Sequence, residues 1–280
     1  MKKWIILLLV IFSIPVVSGC FCQTVRETLV FAEKQYDAGK FSPALKEYQR
    51  VLFFYDKPEH AFLYAKIGDC YHNLGNHESA VEYYDFAISL SETDSLKYEY
   101  VFQKAFVFIE QENYPFALLE YQSLPDSLNE YFQNKKCFYR SVCFFGMQQY
   151  EKSETCLLKI LDSNDTEDKD AIIRLFSEIR KLNRLNSGKI MIMSAVLPGS
   201  GQIYAGDIKN GLNSLLLCAT LAGLGYYIAE IYSLLEAVIA VFPMFQRYYT
   251  GGIINARDIA EKKQQRKRNE KFTEALEIIK

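Results

Sequence analysis

Histidine is scarce in this chain, with three in 280 residues, at positions 60, 72 and 77. None of the seven cysteines forms a CxxC pair. A structural zinc site needs four closely spaced Cys or His ligands, so a metal-binding role is set aside and no metal ligands are assigned. No GxxxxGK[ST] segment is present, and the glycine-rich stretch near residue 200 therefore lacks the lysine and hydroxyl of a phosphate loop. An excess of one charge is also missing: 32 basic residues stand against 34 acidic ones, a formal net charge of −2. No basic face dominates the body of the chain, which argues against general nucleic-acid binding. No nucleophile–base constellation is visible, so no catalytic residues, cofactor or small-molecule substrate are expected.

What the chain has in quantity is aromatic residues, 20 Tyr and 20 Phe, and they are spaced. Gly39 and Gly75 lie 36 residues apart; Ala44, Ala80 and Ala117 follow at steps of 36 and 37, and Ser153 falls 36 further on. Each of these four small residues comes three after Phe41, His77, Tyr114 or Tyr150 and four before Tyr48, Tyr84, Tyr121 or Leu157. A period in the mid-thirties marks an array of helix–turn–helix units, each filling the joint to its neighbour with large flat side chains. The second unit, with Tyr64, Ile67, Gly68, Tyr71, Gly75, His77, Ala80, Tyr84 and Ala87, resembles the tetratricopeptide repeat. The others are degenerate: Glu112 replaces the turn glycine in the third, and Ser141 and Ser153 replace small apolar residues in the fourth. About four repeats are expected over 24–163. An amphipathic helix over Asp170–Leu185, with Ile172, Ile173, Phe176, Ile179 and Leu182 on one face, caps the array within a cap-and-linker segment at 164–188.

The resemblance implies that the first helix of each hairpin lines a groove for a protein partner. Its register places Tyr36, Phe62, His72, Phe102, Phe106, Phe138 and Phe145 there, together with Asp69 and Glu110. The basic residues with which such families grip a terminal carboxylate are missing, so the groove suits an apolar helix or extended segment. The chain's own C-terminal part is the other candidate occupant. Cys70 and Cys143 share one register position, which points to core packing; a Cys143–Cys156 bridge stays open if the body is exported.

The two ends read differently. Lys2 and Lys3, the apolar run Trp4–Val17, and Ser18-Gly19 lay out a secretory signal peptide at 1–22. Val17-Ser18-Gly19-Cys20 resembles a lipobox that would lipidate Cys20; cleavage after Cys22 and an uncleaved anchor are the alternatives. Toward the C-terminus, Gly211–Ile228 is 18 residues without a charge, and Tyr232–Phe245 is mostly apolar apart from Glu236. These suggest a membrane hairpin within 189–257, packed through a small-residue stripe at Ser214, Cys218 and Ala222. The bracketing segments resemble a bacterial membrane module with a PGxGQxYxG start (Pro198, Gly199, Gly201, Gln202, Tyr204, Gly206) and a YYxGGxxNA end (Tyr248, Tyr249, Gly251, Gly252) seen after tetratricopeptide repeats. Glu236 is expected to face Arg247 or a wet edge. Arg174, Arg180, Lys181, Arg184 and Lys189 precede the block, and Arg257, Lys262, Lys263, Arg266, Lys267, Arg268 and Lys271 follow it. Basic flanks on both sides fit an even number of spans; a third short segment at Ile190–Tyr204 would place the tail on the other side. The tail at 258–280 is expected to be a solvated helix or a weak lipid-headgroup contact.

The expectation is thus all-α: a helical-hairpin solenoid of tetratricopeptide type followed by a transmembrane helical hairpin. It would be a non-catalytic adaptor at the bacterial cell membrane, with its repeats periplasmic, as a signal peptide implies. A component of a membrane enzyme or transport assembly, acting through the PGSGQ turn and Glu236, and a purely structural envelope protein are the competing roles.

Overall fold

The computed structural model describes residues 24–54, 61–162, 164–182 and 187–279, and among them there are helices and no strands. Residues 1–22, with Cys20 and the expected signal peptide, lie outside the described residues. The chain divides into two compact units, one up to Leu128 and one from Asn129 onward.

The first unit holds three helical hairpins: α1 (Val25–Asp37) with α2 (Phe41–Phe54), α3 (Ala61–Asn73) with α4 (His77–Ser89), and α5 (Asp94–Glu110) with α6 (Tyr114–Ser123). A capping box starts α1: the Thr24 hydroxyl accepts from Glu27 N at 3.2 Å and Glu27 accepts from Thr24 N at 2.9 Å. The helices of a hairpin cross at small residues. Ala32, Ala44, Ala80, Ala105 and Ala117 are fully buried, and a Cβ added to Gly68 would lie 3.1 Å from the Tyr84 ring. Tyr48, Tyr84 and Tyr121 fill the space beside those crossings. Lys104 on α5 donates to Asp85 of α4 and Glu120 of α6, both at 2.8 Å, and so ties the second hairpin to the third. Burial works against its charge, yet the hydrogen bonds to the two carboxylates prevail and its pKa is raised.

The second unit begins with a fourth hairpin, α7 (Glu130–Gly146) and α8 (Tyr150–Leu158), followed by α9 (Thr166–Leu182). Ser141 and Ser153 stand at the small-residue crossing and satisfy each other, with hydroxyls 3.0 Å apart and Ser153 also donating to the Ser141 carbonyl at 2.9 Å. The helix α9 buries Ile172, Phe176 and Ile179 as expected of a cap, whereas Ile173 is exposed. Cys143 and Cys156 are free and buried, and no bridge joins them. Burial pushes the Cys143 thiol up to about 12, which leaves it inert as a nucleophile.

Then come α10 (Ser187–Val196), the short α11 (Ser200–Tyr204), α12 (Ile208–Ile231) and α13 (Leu234–Ile278). The third-span alternative is corrected here: Ile190–Tyr204 is broken between α10 and α11, where Pro198 and Gly199 interrupt the helix. Among the described residues α12 is the one helix long and apolar enough to cross a membrane. The separate tail is corrected too. The second apolar segment and the basic tail are one 45-residue helix with Pro243 inside it. Its C-terminal turns are not solvated but bury Phe272 and Ala275 against α7, α8 and α9. Phe272 stacks on Phe145 with ring centroids 3.9 Å apart and stands edge-on to Phe176 at 6.1 Å. Lys271 pairs with Glu178, and Arg268 donates to the Tyr150 hydroxyl at 3.4 Å.

The four hairpin turns share one geometry. Gly39, Gly75, Glu112 and Gln148 all have positive φ, at 70°, 78°, 56° and 59°. In each, the residue's N–H reaches back three positions and the next N–H five, as in Gly75 to His72 and Asn76 to Tyr71, both 2.9 Å. A Cβ at Gly39 or Gly75 would meet nothing within 4 Å, so the preference for glycine is conformational alone. Glu112→Gly and Gln148→Gly are expected to stabilise the protein, and Gly75→Ala to destabilise it, each by about 1 kcal/mol in urea titrations. Phe272→Ala is expected to cost about 3 kcal/mol and to show as lost amide-exchange protection in α7 and α9.

Candidate functional site

In the first unit, the first helices of the hairpins bring part of the expected groove together. Tyr36 on α1 lies under the Lys66 ammonium, 4.3 Å from its ring centroid, and Lys66 also lies 5.9 Å from the Phe62 ring. Phe62 is 40% exposed. Farther along α3, His72 Nε2 stands 3.3 Å from a Glu110 carboxylate oxygen on α5, and its ring meets that of Phe106 edge-on at 6.0 Å. Phe106 is 38% exposed. The result is a surface of two accessible Phe rings flanked by Lys66, His72 and Glu110. Lys66 was not foreseen; its place one turn after Phe62 on the same helix was the available signal.

Asp69 sits under this surface. Its carboxylate accepts from the Tyr84 hydroxyl at 2.6 Å and the Tyr36 hydroxyl at 3.4 Å. Burial raises its pKa, and the two hydroxyls and nearby Lys66 only partly oppose that. Burial, with the Asp69 charge next in size, likewise pushes the Tyr36 hydroxyl up to about 12. Asp69 therefore fixes two rings rather than offering a free charge to a ligand.

Two expected groove residues are buried, and a third stands in the second unit. Phe102 is only 3% exposed and tilts against Tyr121 at 5.4 Å, so it belongs to the packing of α5 on α6. Phe145 is 8% exposed because Phe272 covers it. Phe138, also in the second unit, is half-buried with its ring edge-on to Tyr139 at 5.4 Å. The Phe272 stripe continues through Ala275, Leu276 and Ile279 at helical spacing, a signal that the surrounding charges obscured.

The PGSGQ and YYTGG residues meet at one end of the α12–α13 hairpin. Gly199 has φ 86°, and a Cβ there would come within 2.0 Å of the Gly211 carbonyl oxygen. A Cβ on Gly201 would strike Ser194 Oγ at 2.3 Å and the Ile190 carbonyl at 2.5 Å. Gly206 repeats the hairpin turn: φ is 93°, its N–H bonds Ile203 O, and Asp207 N bonds Gln202 O, both at 2.9 Å. Gln202 is 1% exposed and donates to Gly252 O at 3.2 Å, while a Cβ on Gly252 would lie 2.7 Å from Ser214 Oγ. The Tyr249 hydroxyl donates to Ala195 O. Tyr204 and Tyr248 are exposed, Pro198 is half-buried at the break, and Gly251 has open space where a Cβ would stand. These residues therefore lock α10, α11, α12 and α13 together. Of the expected stripe, Cys218 is buried and Ser214 half-buried beside Gly252, whereas Ala222 is exposed; Gly211 and Leu221 are buried as well. Glu236 does not face Arg247; it lies in the first turn of α13, where its N–H and carboxylate both engage the Ser233 hydroxyl at 3.3 Å.

The tetratricopeptide repeat family model matches residues 63–94, the span of the second hairpin. Among solved structures, the chain is similar to a MamA RS-1 ArsTM double mutant, with a TM-score of 0.45 and 17% sequence identity over 56% of this chain and 84% of that one. No curated protein matches the sequence. The architecture is that of tetratricopeptide-like helical hairpins, a fold that is generally non-catalytic and binds other proteins.

The state of Asp69 is open to direct measurement. A carboxyl whose folded pKa is raised above 3.8 favours the folded state below that pH and loses the advantage as pH rises through the raised value. Asp69→Asn keeps an acceptor for Tyr84 and cannot ionise. Its stability relative to wild type should therefore increase between about pH 4 and neutrality in paired urea titrations; a constant difference would mean an ordinary carboxyl.

Proposed function

We propose that this protein is a non-catalytic, membrane-attached scaffold of a bacterial envelope, holding a partner protein on its repeats. The observation that carries it is the pairing of tetratricopeptide-like hairpins with α12, an apolar helix whose side chains are mostly exposed. In water such a surface is a liability, and lipid is the environment that suits it. The partner surface is that of Tyr36, Phe62, His72 and Phe106 in the first unit. An apolar segment with an acidic or polar end would complement two open Phe rings beside Lys66. In the second unit the corresponding ring, Phe145, is already covered by the chain's own Phe272, so self-filling accounts for that part. A signal peptide ending near Cys20 would make the repeats periplasmic.

The competing role in membrane catalysis or transport loses its single site. Gln202 of the PGSGQ turn bonds Gly252, whereas Glu236 is 16 residues earlier on the same helix, about 24 Å away along its axis. Capture from detergent-solubilised membranes tests the scaffold. Wild type should retain a defined partner that Phe62→Ala/Phe106→Ala, equally folded by circular dichroism, loses. An identical set of proteins on both would remove this surface from partner binding. Membranes washed in carbonate should retain the protein, and its release would refute anchoring by the hairpin.

A further inference from the structure

At the end of the hairpin where α12 begins, a cleft of about 610 Å³ opens between α12 and the middle of α13. Four cationic side chains line it: Lys209 from α12, and Lys262, Lys263 and Arg266 from α13. The acids close by are otherwise engaged. Asp207, on the rim, caps α12: it accepts from Asn210 N at 3.1 Å on one oxygen and from Asn210 Nδ2 at 2.7 Å on the other. Asp258 and Glu261 are drawn to Arg257, at 3.3 and 3.8 Å. Arg266 has an exposed pairing with Glu270 at 3.4 Å, a class of contact that is weak and readily exchanged. Lys263 is held, its ammonium donating to Ala205 O at 2.8 Å where α11 ends. Lys209 and Lys262 are exposed, and the Lys209 charge acts on Asp207 without a close ion pair among the described residues.

An apolar track leads away from these charges. Ile208, on the cleft wall, is followed by Leu212 and Leu216, all exposed and spaced by four, hence on one face of α12. A concentrated positive cleft that continues as an apolar helix face matches a ligand with an anionic head and hydrocarbon chains.

We propose that this cleft binds the phosphate headgroup of an anionic glycerophospholipid, whose acyl chains lie along Ile208, Leu212 and Leu216. This rests on the membrane attachment proposed above and assigns it a chemistry: the hairpin is seated by a specific headgroup contact at its base as well as by apolar burial. Lys209, Lys262 and Arg266 bind the phosphate, while Lys263 holds the cleft wall. Gly206 keeps that wall open, because a Cβ there would lie 2.5 Å from the Lys263 ammonium.

Calorimetric titration of dioctanoyl phosphatidylglycerol onto the full chain in neutral detergent tests the assignment. Each cation near an anionic headgroup contributes roughly a five-fold change in affinity, so Lys262→Gln should weaken binding about five-fold and Lys209→Gln/Lys262→Gln/Arg266→Gln roughly 100-fold. Both variants replace exposed side chains, and circular dichroism confirms their helix content before titration. Dioctanoyl phosphatidylcholine should bind no better to wild type than to the triple variant. Equal affinity of wild type and triple variant for phosphatidylglycerol would overturn the proposal. So would displacement of the lipid by inorganic phosphate at the same concentration, which would assign the cleft to a free anion. Carbonate washing of membranes reads the attachment separately. Release of wild type would count against the anchor, while the lipid titration would still decide the cleft.

Discussion

Both units depend on one constraint: two helices come close only where a small residue removes the side chain between their backbones. In the repeats this is Gly68 under the Tyr84 ring and the alanines at 32, 44, 80, 105 and 117. In the hairpin module it is Gly199 against the carbonyl of Gly211, and Gly201 against Ile190 and Ser194. The volume given up at each crossing is taken by a large ring beside it, so small and aromatic residues must alternate. That alternation is why the aromatic content is high without a matching aromatic surface. The crossing tolerates a polar substitute when it is satisfied, as Ser141 and Ser153 demonstrate by bonding each other.

Turn geometry is the second element reused. The four hairpin turns and the turn at Gly206 close with the same pair of backbone hydrogen bonds around a left-handed residue. Two of the four hairpins place Glu112 and Gln148 there, at a conformational penalty that their tertiary surroundings absorb. Polar groups beneath the repeat surface act similarly as fixtures. Asp69 holds Tyr84 and Tyr36, and Lys104 bridges Asp85 and Glu120, so these buried charges are committed internally, while Lys66 stays beside the accessible Phe62.

The hairpin repeats were legible because their signal is periodic and local: the 36-residue step fixes which residues cross and which turn. The apolar α12 was legible for the same reason, since it is written in a short stretch. The tail was misread because its apolar positions, Phe272, Ala275, Leu276 and Ile279, are diluted by neighbouring charges, and a half-apolar helix face signals burial only when its partner is known. The two Phe rings expected to be open, Phe102 and Phe145, were misjudged for a related reason. Register gives the face of a helix on which a residue lies, but not whether a neighbouring ring already covers that face.

By itself the sequence determined the helical class, the 36-residue register of the crossings, the turns at Gly39, Gly75 and Glu112, and the existence of one apolar helix of membrane length. Each of these follows from spacing along the chain. Only the tertiary structure decided that Phe272 closes over Phe145, that the PGSGQ turn and Glu236 lie at opposite ends of a hairpin, and that Lys209 shares a cleft with Lys262, Lys263 and Arg266. Those arrangements join residues more than 30 positions apart, and distance in space between such residues is set by packing rather than by local pattern.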